Sequence, residues 1–180
     1  SSNIIDYVTI ATSGDGTDFG NLLTAARFSA GCSSATRGLV ASGFTTTTSN
    51  QVTYITIAST GNSLDFGDLT LARYRLSGTS SATRGVFGGG QSTTNVIDYF
   101  TIATTGNAVD FGDLTVARYG PGATAGSSRA LFAGGTSGLN VIDYIEIATT
   151  GNAVDFGDLT VNMEYGTAGV SSALQAAQPS

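Results

Sequence analysis

The chain has no histidine, no tryptophan and no lysine; its seven basic residues are all arginine. Without histidine a Ser-His-Asp arrangement cannot form, so the many serines have no imidazole to activate them. At a net charge of −6, a sequence-independent hold on nucleic-acid phosphates is not expected. Charged residues are 11% of the chain, against about 25% in an ordinary soluble domain. Serine, threonine and glycine stand in their place, a surface better suited to a particle component or a secreted protein than to a crowded cytosolic enzyme. The single cysteine, Cys32, has no internal disulfide partner. Its Gly/Ser neighbours favour a small buried filler over a reactive thiol. No apolar run reaches the roughly 18 residues of a membrane span. No charged segment followed by an apolar one opens the sequence, as would also hold for a mature or trimmed chain.

What the sequence does have is a repeat. Residues 140–161, NVIDYIEIATTGNAVDFGDLTV, recur at 95–116 with changes only at Phe100/Ile145 and Thr101/Glu146, and in weaker form at 50–71 and 3–23. The phenylalanine of the DFG triplet falls at Phe19, Phe66, Phe111 and Phe156, in steps of 47, 45 and 45; the tyrosine falls at Tyr7, Tyr54, Tyr99 and Tyr144. A fixed period of about 45 residues means an array of one supersecondary unit. At 180 residues and 41% hydrophobic, the chain can bury one sizeable core as a single repeat domain.

Each unit divides into two hairpin-like halves. In the third copy Asn95-Val-Ile-Asp-Tyr-Phe-Thr-Ile-Ala reads as a β-branched and aromatic strand, Thr105-Gly106-Asn107 as a turn, and 109–117 as a second strand. Gly112 beside Phe111 marks a bulge or a close backbone approach. The other half follows an Ala-Arg pair and reads, at 78–90, GTSSATRGVFGGG: a strand of small residues, a turn at Thr83-Arg84-Gly85, and a short strand ending in glycines. No segment of ten residues carries helical apolar spacing. The expectation is all-β, four short strands per unit in the manner of propeller blades, with the small-residue strand innermost. The units are 30–73, 77–118 and 122–161, with partial copies at 1–27 and 166–180. The first copy is one residue longer before Arg27, which requires a bulge or register change. The two partial ends are expected to pair, the tail covering the edge at 3–10, within one chain if four blades can close and between neighbouring chains if they cannot.

A strand ending in Gly89-Gly90, then Tyr99, then a large aromatic at Phe111, then Arg118, resembles the kelch repeat; Gly134-Gly135, Tyr144 and Phe156 continue it. The usual kelch tryptophan is phenylalanine throughout. The YxxIATTGNAxDFGDLT form is similar to kelch-like repeats of bacteriophage structural and tail-fibre proteins, notably cyanophage ones. The resemblance implies a kelch-like β-propeller of about four blades. It also implies a virion or extracellular location, with other virion proteins or copies of the chain itself as partners and a host-surface glycan as a further candidate.

DFG holds magnesium in protein kinases, but here it occurs four times in a chain without the lysine or the catalytic-loop histidine that kinases need. Gly88-Gly89-Gly90 lacks the G-K-[ST] ending of a phosphate loop. Carboxylates are the remaining catalytic inventory: Asp65/Asp68, Asp110/Asp113 and Asp155/Asp158, with Asp18/Asn21 in the first copy. Two such groups could work as acid and base on a sugar, and Asp15-Gly-Thr-Asp18 has the oxygens of a calcium loop. A pair present in every unit fits better as a turn cap or as a partner for the recurrent Arg37, Arg84 and Arg129. The tyrosines could face sugars, but packing with a bonded hydroxyl is their commoner use. The expectation is therefore a non-enzymatic structural or binding module with no catalytic residue, metal or cofactor. Its anchors are Tyr7, Tyr54, Tyr99, Tyr144, Phe19, Phe66, Phe111, Phe156, Arg37, Arg84 and Arg129. The alternatives are a secreted carbohydrate-active propeller enzyme using Asp pairs, and a self-assembling fibre or ring.

Overall fold

The computed structural model describes residues 1–91, 94–136 and 139–163. The described residues form four antiparallel sheets and no helix, so no helix is long and apolar enough to cross a membrane. The first sheet is a hairpin of β1 (Ser2–Tyr7) and β2 (Thr17–Ala26). The second runs in chain order through β3 (Ala30–Ser33), β4 (Arg37–Ala41), β5 (Gln51–Thr56) and β6 (Leu64–Asp68). The third repeats it with β7 (Ser77–Ser80), β8 (Arg84–Gly88), β9 (Val96–Thr101) and β10 (Val109–Asp113). The fourth has β11 (Gly122–Ala125), β12 (Arg129–Ala133), β13 (Leu139–Glu146) and β14 (Val154–Met163).

Sequential strands joined by short turns are what alternating β-branched and turn-forming residues specify. Two details differ from the sequence reading. Arg84 and Gly85 open a strand rather than a turn, and the strand expected over 109–117 stops at Asp113. The expected closure by 166–180 lies outside the described residues.

The core lies between consecutive sheets. One cluster joins Leu39, Val52 and Phe66 of the second sheet to Phe87, Phe100 and Ile102 of the third; the other joins Val86, Ile97 and Phe111 of the third to Phe132, Ile145 and Ile147 of the fourth. The small-residue strands explain how the sheets come this close. Strand β7 lies against β3 on one side and β11 on the other. A Cβ at Gly78 would stand 2.6 Å from the Gly31 carbonyl oxygen, so no larger residue fits there. Ser80 Oγ donates to the Ser33 carbonyl at 2.6 Å, tying β7 to β3.

Cys32 packs at the margin of the first of these clusters. A Cβ at Gly85 would come within 2.5 Å of its sulfur. Burial pushes the thiol up to about 12, which keeps it protonated and inert near neutral pH.

Candidate functional site

The recurrent motifs converge on the junctions between sheets, where three devices repeat. The first is a clasp made by the DFG triplet of one unit and the TGN turn of the next. At the second-to-third junction the Gly106 amide donates to the Phe66 carbonyl and the Ala108 amide to the Asp68 carbonyl, both at 2.8 Å. The Asp68 amide donates in return to Asn107 Oδ1 at 3.1 Å. The third-to-fourth junction repeats this with Gly151, Ala153 and Asn152 against Phe111 and Asp113. The first-to-second has Gly61, Ser63 and Asn62 against Phe19 and Asn21.

The DFG glycine permits the approach. A Cβ on Gly67 or Gly112 would stand 2.3 or 2.5 Å from the carbonyl oxygen of Gly106 or Gly151, at φ values of 145° and 142°. The triplet is also bulged: Asp110 pairs with Asp98 and Gly112 with Ile97, so Phe111 is the extra residue. Bulge and close approach are therefore both present at this glycine. Asn107 has no positive φ among the described residues; its side chain bonds across the junction instead.

The second device is a buried ion pair. Arg73 donates to Asp98 Oδ2 at 2.9 Å and to the Phe87 carbonyl at 3.2 Å; Arg118 donates to Asp143 Oδ2 at 2.8 Å and to the Phe132 carbonyl at 3.1 Å. All four charged side chains are 0% exposed. Each carboxylate is completed by a threonine of the preceding unit: Thr70 Oγ1 donates to Asp98 and Thr115 Oγ1 to Asp143, both at 2.5 Å. The glycine pair at the end of the second strand makes room. A Cβ at Gly90 would stand 2.8 Å from Arg73 Cδ, and one at Gly135 3.3 Å from Arg118 Cδ. Burial pulls both guanidinium pKa values down, and the facing carboxylates oppose the shift. Sequence reasoning placed the arginine–carboxylate pairing at Arg37, Arg84 and Arg129 and missed these residues. The signal available was the fixed Leu-Thr-x-Ala-Arg sequence followed by Ile-Asp-Tyr 24–26 residues on.

Where the lock is missing, the strand changes length. Thr53 stands where Asp98 and Asp143 stand in the later units, its hydroxyl buried and unpartnered, and Arg27 turns instead onto the Phe44 ring at 4.6 Å. Met163 stands where Arg118 stands. In those two units the outermost strand runs ten residues, β2 and β14, against five in β6 and β10. With no aspartate to draw the Leu-Thr segment across the junction, it stays in the ladder. The register shift of the first unit, from Ile4↔Asn21 to Ser2↔Ala26, matches that of the fourth, from Val141↔Asp158 to Leu139↔Met163, so the additional residue before Arg27 is not taken up within it.

The third device uses the expected anchors. Arg37, Arg84 and Arg129 stack on Tyr54, Tyr99 and Tyr144 at 4.6–4.7 Å. Those tyrosines meet Phe66, Phe111 and Phe156 edge-on, as Tyr7 meets Phe19. Arg37 then donates to the Ile102 and Ala103 carbonyls, and Arg84 to Ile147, each in the next sheet. Arg129 pairs with Glu146 in its own sheet.

Phe19, Phe66 and Phe111 are buried, whereas Phe156 is 55% exposed. The fourth ring is open because, among the described residues, no sheet covers the outer face of the fourth sheet. The carboxylates Asp65, Asp110 and Asp155 are exposed, and the described residues include no group of three or more potential metal ligands. A depression of about 410 Å³ lined by Ser81, Thr83, Arg84, Ser127 and Ile147 has no carboxylate in its wall. No protein-family model matches the chain, and no curated protein matches it.

Proposed function

We propose that the chain is a non-enzymatic structural and binding module: a kelch-like β-propeller array that serves in a virion as a tail-fibre, attachment or decoration component. The observation that carries this reading is the destination of the repeated polar side chains. Arg73, Arg118, Asp98, Asp143 and Asn107 all bond from one sheet to the next, leaving rigid packing as the motif's purpose. The order of strands within each four-stranded sheet and the adjacency of β3, β7 and β11 are what a propeller requires of successive blades. The Gly-Gly, Tyr, Phe and Arg spacing supports the kelch form, and the low charge supports a virion or extracellular setting. Other virion proteins, or copies of the chain, are the partners this reading implies, with a host-surface glycan as a candidate ligand.

Two measurements test it. An antibody against the chain is expected to decorate intact particles in electron micrographs; reactivity confined to soluble, particle-free protein would contradict the virion role. Incubated with a panel of polysaccharides, the purified chain is expected to release no reducing ends. Turnover abolished by Asp110→Asn or Asp155→Asn would instead establish the carbohydrate-active alternative.

A further inference from the structure

The clasp that joins successive sheets is present three times as a complete pair and once as two separated halves. On the outer face of the fourth sheet stand Phe156, Gly157 and Asp158, matching Phe66-Gly67-Asp68 and Phe111-Gly112-Asp113. A Cβ on Gly157 would meet nothing within 4 Å, where its internal counterparts meet a carbonyl oxygen. At the other end, Gly14, Asp15 and Gly16 match Gly106, Asn107 and Ala108. Every bonding atom of the clasp is retained: amides at Gly14 and Gly16, a carboxylate oxygen on Asp15 in place of the asparagine Oδ1, and the Phe156 and Asp158 backbone.

The apolar surfaces match as well. At internal junctions the DFG ring enters a cluster with two residues of the next sheet: Phe111 with Ile145 and Ile147, and Phe66 with Phe100 and Ile102. All four of these partners are buried. The corresponding residues of the first sheet are Val8 and Ile10, which are 59% and 98% exposed, and the ring that would cover them corresponds to Phe156. Among the described residues no backbone hydrogen bond joins β14 to the first sheet.

We infer that the Phe156–Asp158 face of one copy docks on the Val8–Gly16 face of a second copy, extending the array head to tail through a fourth clasp. The occupant is argued from continuity, since the junction is one this sequence already builds three times. The interface is heterologous, so repetition gives a closed ring if the rotation per copy closes and a filament if it does not. The affinity is held down at one point. Met163 replaces the arginine that would reach across, leaving Asp6 of the incoming copy, the counterpart of Asp98 and Asp143, without its ion pair. This inference deepens the self-assembly part of the proposed function and rests on that reading.

Sedimentation velocity on the full chain over a concentration series provides the test. The wild type is expected to show a concentration-dependent shift to larger species. Met163→Arg should restore the missing charge pair and tighten association at least about tenfold. Ile10→Asp and Phe156→Asp place a charge on opposite faces at side chains already exposed, so each variant should fold normally, with unchanged circular dichroism, and sediment as a monomer. Mixed together, the two variants should form a heterodimer, because each keeps the face the other has lost. Wild type and Met163→Arg both monomeric at all concentrations would overturn the inference, as would association that survives Ile10→Asp and Phe156→Asp, or a mixture that stays monomeric. A monomeric chain whose antibody still decorates particles would remove head-to-tail docking and leave the virion role standing.

Discussion

Truncating Asp143 to alanine is expected to destabilise the fold by about 3–5 kcal/mol, because it strands the fully buried Arg118 guanidinium without the carboxylate it pairs with. Arg118 is wholly buried, and two of its nitrogens already lack a partner. Removing the acceptor also leaves Thr115 without its bond. The pair as a whole contributes far less than that figure, since the cost of taking two charges from water offsets most of their attraction. Replacing both ends, Arg118→Met with Asp143→Thr, should therefore recover most of the loss. Those are the residues the chain itself carries at the equivalent positions, Met163 and Thr53. Urea unfolding of the wild type, the single variant and the double variant checks this. A double variant as unstable as Asp143→Ala would show that the pair is a net source of stability.

Phe111→Ala and Phe156→Ala make the same change in nearly the same sequence and are expected to differ widely. Phe111 is 3% exposed between the third and fourth sheets, and losing a ring from a packed core costs about 3–5 kcal/mol. Among the described residues Phe156 meets Tyr144 edge-on and is half open, so its truncation in a dilute, monomeric chain should cost about 1 kcal/mol or less. Thermal melts of the two variants at low concentration measure the gap. Equal losses would mean that the fourth DFG face is covered in the monomer.

These two residues also show what a sequence can and cannot disclose. The period, the strand order and the bulge at the DFG glycine follow from local chemistry, and each was legible from residues close together in the chain. The exposure of Phe156 was not, because burial depends on whether another sheet follows, and the motif reads the same either way. The arginines were ambiguous for a similar reason. Arg37, Arg84 and Arg129 recur as regularly as Arg73 and Arg118, and only the register between sheets decides which of them finds an aspartate. Asn62, Asn107 and Asn152 look like turn residues chosen for backbone freedom. Their side chains bond to the preceding unit, a use that no window of one unit can display.

The DFG and TGN motifs form one structural clasp repeated along the array, and among the described residues a half stands open at each end. Amide hydrogen exchange on the monomeric chain tests it most directly, because protection follows the strength of the local bond and its burial. The amides of Gly61, Gly106 and Gly151 donate at 2.7–2.8 Å to the preceding DFG carbonyl, and all three are expected to exchange slowly while Gly14 exchanges at the rate of an open loop. Gly106 and Gly151 exchanging as fast as Gly14 would contradict it.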